Sequence, residues 1–449
     1  MSPASLAGKR VTVMGLGRFG GGVGVARWLA AQGADILITD LDPAERLAES
    51  IAQLNDLIDN TTVTLRLGGH NVSDFTNTDL VIANPAVPKP WENRFLRAAE
   101  AARVPITTEI RLLTERLPDR EKVIAVTGSV GKSTTSAMIA HILKDAGRGV
   151  FFGGNIGGSL LAELPRMTPD SDIVLEISSA MMHWLSPGIG CAGAPGWSPH
   201  VAVATNITAN HLDWHGDFAH YERSKQQILR DQTAEDRAVI ADFLSHWPGS
   251  APRVTIESIP ADVPPLAIPG RHNRLNAAFA IAAAALAGVP RERAASAVAT
   301  FPGLPDRLQF VGTFGGVRAY NDSKSTTPDA ARLAVDAMDH DPDIGASRVR
   351  LICGGYDKKI DLTPLAHAAA RCAAAYTIGA TGEWLADAIA RAGGRAAFRK
   401  TLDHAVADAL TDSRPGDTIL LSPGCASWDQ FTNYEERGRR FEQLLRNAT

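Results

Sequence analysis

The chain has 449 residues, 45% hydrophobic and 21% charged, with a formal net charge of −4. That length exceeds one ordinary core, so two or three domains are expected, and the composition excludes disorder as the main state. The charge gives no electrostatic footprint for nucleic acid or an anionic membrane. Four cysteines, Cys191, Cys353, Cys372 and Cys425, stand far apart with no C-x-x-C pair or zinc-ligand spacing, and are expected as buried thiols in a reducing compartment. The first ten residues lack the apolar core of a signal peptide. The longest alanine-rich apolar run, Ala277 to Val289, is too short to span a bilayer and is expected as a buried helix. A cytoplasmic protein without membrane insertion is the expectation.

Val11-Thr12-Val13-Met14 reads as a first strand, Gly15-Leu16-Gly17-Arg18-Phe19-Gly20 as a G-x-G-x-x-G turn, and the run through Leu29 as a helix. Asp35 to Asp40 is a second strand ending in an acid about 20 residues after the glycines, where a Rossmann unit places its ribose-binding carboxylate. A tight turn without a ligand is the competing reading. Leu80 to Ala83 is a later strand, ending in a turn at Asn84-Pro85-Ala86.

Val123 to Val126 is a further apolar strand. It runs into Thr127-Gly128-Ser129-Val130-Gly131-Lys132-Ser133-Thr134 and then an alanine-rich helical pattern. Backbone N–H groups of such a turn cradle phosphates, Lys132 neutralises the β/γ-phosphates, and Ser133 offers a hydroxyl to Mg²⁺. The general G-x-x-x-x-G-K-[ST] spacing needs glycine at 126, where this chain has Val126. Ile173-Val174-Leu175 is a strand ending in Glu176, an acid placed to face a nucleotide metal; a helix-capping carboxylate is the alternative. Val201 to Asn206 is another strand, with His211 and Asp213 just beyond it. A third α/β unit follows Gly303-Leu304-Pro305. Its strands Val317–Tyr320, Val349–Cys353, Ala375–Ile378 and Thr418–Ser422 end in polar punctuation, where open α/β sheets bind ligands.

Together these segments resemble the Mur ligase family over nearly the whole chain. That family's turn has the form T-G-x-x-G-K-[ST], which accounts for Val126. Gly154-Asn155-Ile156-Gly157, Glu176-Ile177-Ser178-Ser179, Asn206-Ile207-Thr208 with His211 and Asp213, Tyr221-x-x-x-Lys225, Gly270 to Asn276, Asp306-Arg307, Asn321 to Thr326, and Leu421-Ser422-Pro423 through Gly438 follow in the family's order. The last two blocks look like the D-glutamate-adding branch. The resemblance implies an α/β fold of three domains: a Rossmann-like UDP-substrate domain at 1–112, a P-loop ATP domain at 113–302, and a Rossmann-like amino-acid domain at 303–449. It also implies ATP-dependent amide ligation between UDP-N-acetylmuramoyl-L-alanine and D-glutamate through an acyl phosphate, in peptidoglycan precursor synthesis, by a monomer.

The resemblance assigns Lys132, His211 and Lys225 to catalysis. It assigns ATP to Gly128, Ser129, Val130, Gly131, Lys132, Ser133, Thr134, Asn273, Asn276, Arg307 and Asp322, and the UDP-substrate to Arg18, Phe19, Asp40, Asn84, Asn155 and His211. D-glutamate falls to Lys324, Thr326, Lys358, Ser427, Trp428 and Tyr434, since two lysines and hydroxyls suit a dicarboxylate. Two Mg²⁺ ions are implied, with Ser133, Glu176, His211 and Lys225 as ligands, Lys225 as its N-carbamate. Relatives commonly have Leu at 428, Phe at 434, His at 306 and Arg at 214, where this chain has Trp428, Tyr434, Asp306 and Trp214. A Mur-type ligase with another amino acid or nucleotide-sugar is the first alternative. A nicotinamide-dependent oxidoreductase, resting on Gly15, Gly17, Gly20 and Asp40, is the second, and it leaves the phosphate turn and Glu176 unexplained.

Overall fold

Three β-sheets organise the chain, and their strand orders decide where the loops gather. The computed structural model describes residues 5–17, 20–60, 62–341 and 343–448. The first sheet contains β1 (Arg10–Met14), β2 (Asp35–Thr39), β3 (Val63–Arg66), β4 (Leu80–Ala83) and β5 (Ile106–Thr107). They lie in the order β3-β2-β1-β4-β5, all parallel. The order reverses between β1 and β4, so the crevice beyond their carboxyl ends is the ligand position of an open α/β sheet.

The second sheet contains β6 (Val123–Thr127), β7 (Val150–Gly154), β8 (Asp172–Glu176), β9 (Val201–Ala204), β10 (Arg237–Ala241) and β11 (Arg253–Ile256). Its order is β11-β10-β9-β6-β8-β7, again all parallel. Every residue of β6, β8 and β9 is buried, as continuous apolar runs in a sheet covered on both faces should be.

The third sheet contains β12 (Gln309–Phe314), β13 (Val317–Asn321), β14 (Val349–Gly354), β15 (Ala374–Ile378), β16 (Ala396–Lys400) and β17 (Thr418–Leu421). Its order is β12-β13-β17-β14-β15-β16, with β12 antiparallel to β13 and the other pairs parallel. Side chains alternate between its faces with the period of a strand. Leu351 and Leu420 pack with Val335, Met338 and Leu365 on one side, and Ile352, Ile419 and Leu421 with Val406 and Phe441 on the other.

The chain divides into two compact units, Met1–Pro260 with Asn276–Ala295, and Ala261–Leu275 with Ser296–Thr449. The first two sheets belong to the first unit, and the third sheet to the second. The expected buried helix is Arg271–Leu286, with Ala277 to Ala284 no more than 3% exposed. In the first unit the buried Arg111 donates to the carbonyls of Trp184 (2.6 Å), Ser186 (3.0 Å) and Pro195 (2.9 Å). One guanidinium thus anchors the Gly/Pro-rich segment 186–199. Cys353, Cys372 and Cys425 are buried free thiols, but Cys191 is exposed. The expectation for Cys191 fails because it sits in that irregular segment rather than on a core strand.

Candidate active site

The phosphate turn is built by its neighbours in the second sheet. β6 lies between β9 and β8, so the turn at 128–131 emerges between Thr205-Asn206 and Glu176. Gly131, at φ +84, caps the helix Lys132–Asp145, whose first turn holds the part-buried Ser133 and Thr134. A Cβ at 131 would lie 2.5 Å from Asn276 Oδ1, so only glycine allows that amide so close. Lys132 Nζ donates to the carbonyls of Gly128 (3.0 Å) and Ser129 (3.2 Å). Val130 exposes its side chain.

Asn206, which sequence reading places only as a neighbour of His211, braces the turn. Its Oδ1 accepts from the N–H groups of Ser129 (3.0 Å) and Val130 (2.9 Å), and its Nδ2 donates to Val130 O (2.8 Å) and Thr205 Oγ1 (3.2 Å). The Ser129 hydroxyl donates to Thr208 O and meets the Tyr221 hydroxyl at 2.8 Å. The sequence signal for this brace is an asparagine two residues beyond the strand that neighbours a phosphate turn.

Glu176 ends β8 and is 1% exposed. It is not a helix cap: Ser178 takes that role, accepting from Met181 N–H. Lys225, on the helix Phe218–Arg230, is also 1% exposed. Its Nζ donates to Gly128 O (2.7 Å) and Thr127 Oγ1 (3.3 Å) and lies 5.0 Å from the Tyr221 ring centroid. Burial, reinforced by the charge of Lys132, holds its pKa well below the usual lysine value. His211 is exposed, at φ +52, and starts the short helix Leu212–His215. Among the described residues no group of three or more His, Cys, Asp or Glu is placed to hold a metal ion.

Between the first two sheets lies a cavity of about 850 Å³, lined by Gly15, Asp40 and Asn84 on one side and Lys132, Asn155, His211 and Lys225 on the other. Asp40 Oδ2 accepts from Gly17 N–H (3.1 Å) and Oδ1 from Asp42 N–H (2.9 Å), so it shapes the glycine turn. Asn84 Oδ1 accepts from Ala86 N–H. Asn155 Nδ2 donates to Glu176 Oε1 at 2.7 Å. Arg18 and Phe19 lie outside the described residues. Trp214 also lines the cavity, and its Nε1–H donates to Pro85 O (3.0 Å) from the loop after β4. Around it stand Trp91, His183, His215 and His220. Burial lowers His183 to about 4 and His215 to about 3, so both rings are neutral near pH 7.

In the second unit most of the predicted residues follow β13, β14 and β17, whereas Arg307 precedes β12 and Asn273 lies on the helix Arg271–Leu286. Asp322 Oδ1 accepts from Leu308 N–H (3.1 Å) and Oδ2 from the Ser422 hydroxyl (2.7 Å), and burial raises its pKa to about 7. Asp306 is buried, accepts from Asn321 Nδ2 (2.9 Å), and is raised by burial. Arg307 is exposed, and Asn273 donates to Pro269 O. Lys358 Nζ donates to Thr326 O (3.2 Å) and lies 5.5 Å from the Trp428 ring centroid, while Lys324 Nζ lies 5.2 Å from that of Tyr434. Ser427 is buried; Trp428 is 62% exposed and meets Tyr356 edge-on.

A parallel sheet whose central strand feeds a T-G-x-x-G-K-S turn, beside a Rossmann-like sheet, defines a P-loop α/β enzyme that uses a nucleotide. Residues 126–247 match the Mur ligase middle domain and residues 306–425 the Mur ligase, glutamate ligase domain. The chain is 34% identical to the UDP-N-acetylmuramoylalanine--D-glutamate ligase of Acidobacterium capsulatum, over 98% of this chain and 96% of that one. It is 34% identical to the ligase of the same name from Roseiflexus, over 99% and 100%. The solved UDP-N-acetylmuramate-alanine ligase of Thermotoga maritima shares the fold, with a TM-score of 0.56 at 20% identity, covering 98% of this chain and 100% of that one. The chain belongs to the Mur ligase family and is an ATP-dependent ligase of peptidoglycan precursor synthesis. Among the described residues no helix is long and apolar enough to cross a membrane.

Proposed function

We propose that the protein joins D-glutamate to UDP-N-acetylmuramoyl-L-alanine. The γ-phosphoryl group of ATP passes to the alanyl carboxylate, releasing ADP. The D-glutamate amine then attacks the acyl carbon, a C–N bond forms and phosphate leaves. The observation that carries this reading is the full-length likeness to relatives of that name. The chemistry asks mainly for positioning and charge neutralisation, because phosphoryl transfer between anions demands little covalent help. Lys132 is the phosphate clamp, the turn at 128–134 cradles ATP, and the cavity beside Gly15, Asp40 and Asn84 takes the nucleotide-sugar. Residues 1–112, 113–302 and 303–449 are then the donor, ATP and amino-acid domains of a cytoplasmic monomer. Asn273, Asn276, Arg307 and Asp322 complete the ATP contacts, and Lys324, Thr326, Lys358, Ser427, Trp428 and Tyr434 receive D-glutamate.

The residues fit Mg²⁺, a hard cation that takes oxygen ligands. Glu176 Oε2 is buried without a hydrogen-bond partner, a costly state that a cation would relieve. Ser133 and Glu176 would hold one ion; His211 and Lys225 would hold a second. Lys225 offers oxygen only as a carbamate, and burial that lowers the pKa of its amine favours the neutral form that adds CO₂. Bound Mg²⁺ would neutralise the charge gathered where the phosphates meet the carboxylate.

Trp214 at the cavity and Trp428 near Lys358 favour a second reading, a Mur-type ligase with another amino acid or nucleotide-sugar. Amino-acid-dependent ADP release with UDP-N-acetylmuramoyl-L-alanine decides: D-glutamate supports it, and activity with another amino acid alone sinks the D-glutamate assignment. The Lys225→Ala variant should lose ligation and recover part of it with a short-chain carboxylic acid; full activity in that variant would refute the carbamate role.

A further inference from the structure

Asn155, in the loop after β7, is tied twice to the end of β8. Its backbone N–H donates to the Glu176 carbonyl at 2.8 Å, and its Nδ2 donates to Glu176 Oε1 at 2.7 Å. The approach requires Gly154, at φ +102: a Cβ there would sit 2.4 Å from the Glu176 carbonyl oxygen. The two carboxylate oxygens therefore differ sharply. Oε1 is satisfied, whereas Oε2 is buried and has no hydrogen-bond partner. The terminal torsion of glutamate is broad, so nothing intrinsic to Glu176 selects this orientation. The amide of Asn155 does.

We propose that Asn155 is a positioning residue: by holding Oε1 of Glu176 it presents Oε2 as the oxygen that receives the divalent cation. The inference rests on the metal reading of Glu176 given above. The family resemblance also places Asn155 at the nucleotide-sugar, and the two roles are compatible, because the bond to Glu176 uses one Nδ2 hydrogen and leaves the second hydrogen and Oδ1 of the amide. Partners that orient a ligand carboxylate in this way typically change metal affinity by about 10- to 100-fold when removed.

The test uses Asn155→Leu, which deletes the donor and keeps the branched side-chain shape. Mn²⁺ binding to the protein–ADP complex, followed by electron paramagnetic resonance, should weaken about 10- to 100-fold. Raised Mg²⁺ should recover part of the turnover of that variant. Equal Mn²⁺ affinity in wild type and variant overturns the proposal. So does loss of nucleotide-sugar affinity with Mn²⁺ binding intact, which makes Asn155 a substrate ligand. A wild-type protein that binds no Mn²⁺ with ADP removes the metal reading itself, a distinct failure. Asn155→Ser, whose hydroxyl is too short to reach Oε1, carries the same expectations if the leucine variant does not fold.

Discussion

Replacing Asn206 by alanine tests whether the phosphate turn is ordered before ATP arrives. The side chain makes four hydrogen bonds, two to N–H groups, one to a carbonyl and one to a hydroxyl. Each contributes a net of about 0.5–1.5 kcal/mol. Val130 is 68% exposed, so water can replace part of what is lost, and the lower half of that range applies. The Thr205 hydroxyl also keeps its own bond to Val130 O. The sum is roughly 2–3 kcal/mol of turn order. If ATP binding must then supply that order, its affinity falls roughly 30- to 140-fold, at about 1.4 kcal/mol per tenfold. Titration with a fluorescent ATP analogue and Mg²⁺ measures this directly. Asn206→Asp should be worse than alanine, because it turns a carboxylate oxygen toward Val130 O and adds charge beside the phosphates. Affinity within about threefold of wild type in Asn206→Ala would show that the turn keeps its shape without the brace.

Arg111→Met leaves the carbonyls of Trp184, Ser186 and Pro195 without their donor, and should cost roughly 3–5 kcal/mol in denaturant unfolding, with faster hydrogen exchange in 186–199. A loss below about 1 kcal/mol would show that the segment is held by other contacts. Asp322 gives a pH signature: its pKa is raised from 3.8 to about 7, so the native state holds the proton more tightly than the unfolded chain. The resulting stability is fully present below the unfolded pKa and is lost as pH rises from about 4 to about 7, with an upper size of roughly 4 kcal/mol. Asp322→Asn removes that slope, so its melting temperature should gain on wild type between pH 5 and pH 8; parallel profiles would contradict the burial.

How much was legible in the sequence differs between the strands. Every interior strand of the first sheet was readable, as were β6, β8 and β9 of the second and β13, β14, β15 and β17 of the third, because burial on both faces demands continuous apolar runs. The strands left unread include all six sheet edges: β3 and β5, β7 and β11, β12 and β16. Most edges are half solvated, as the burial of β11 and β16 shows, so their residues need not be apolar. Only pairing with a neighbour makes them strands.

The candidate site divides in the same way. The sequence by itself determined the phosphate turn and the acid at the end of β8, because each is a local arrangement of residue types whose chemistry shows in their order; Lys225 was legible only through the family resemblance, since its own residue type reads as an ordinary helix lysine. Tertiary structure alone decided what those groups face. The strand order puts Asn206 on one side of the turn and Glu176 on the other, buries the Lys225 amine against Gly128 O, and brings Asn155 from a different loop onto one oxygen of Glu176. Such partners are tens of residues apart in the chain, and only the packing of parallel strands brings them within hydrogen-bond reach.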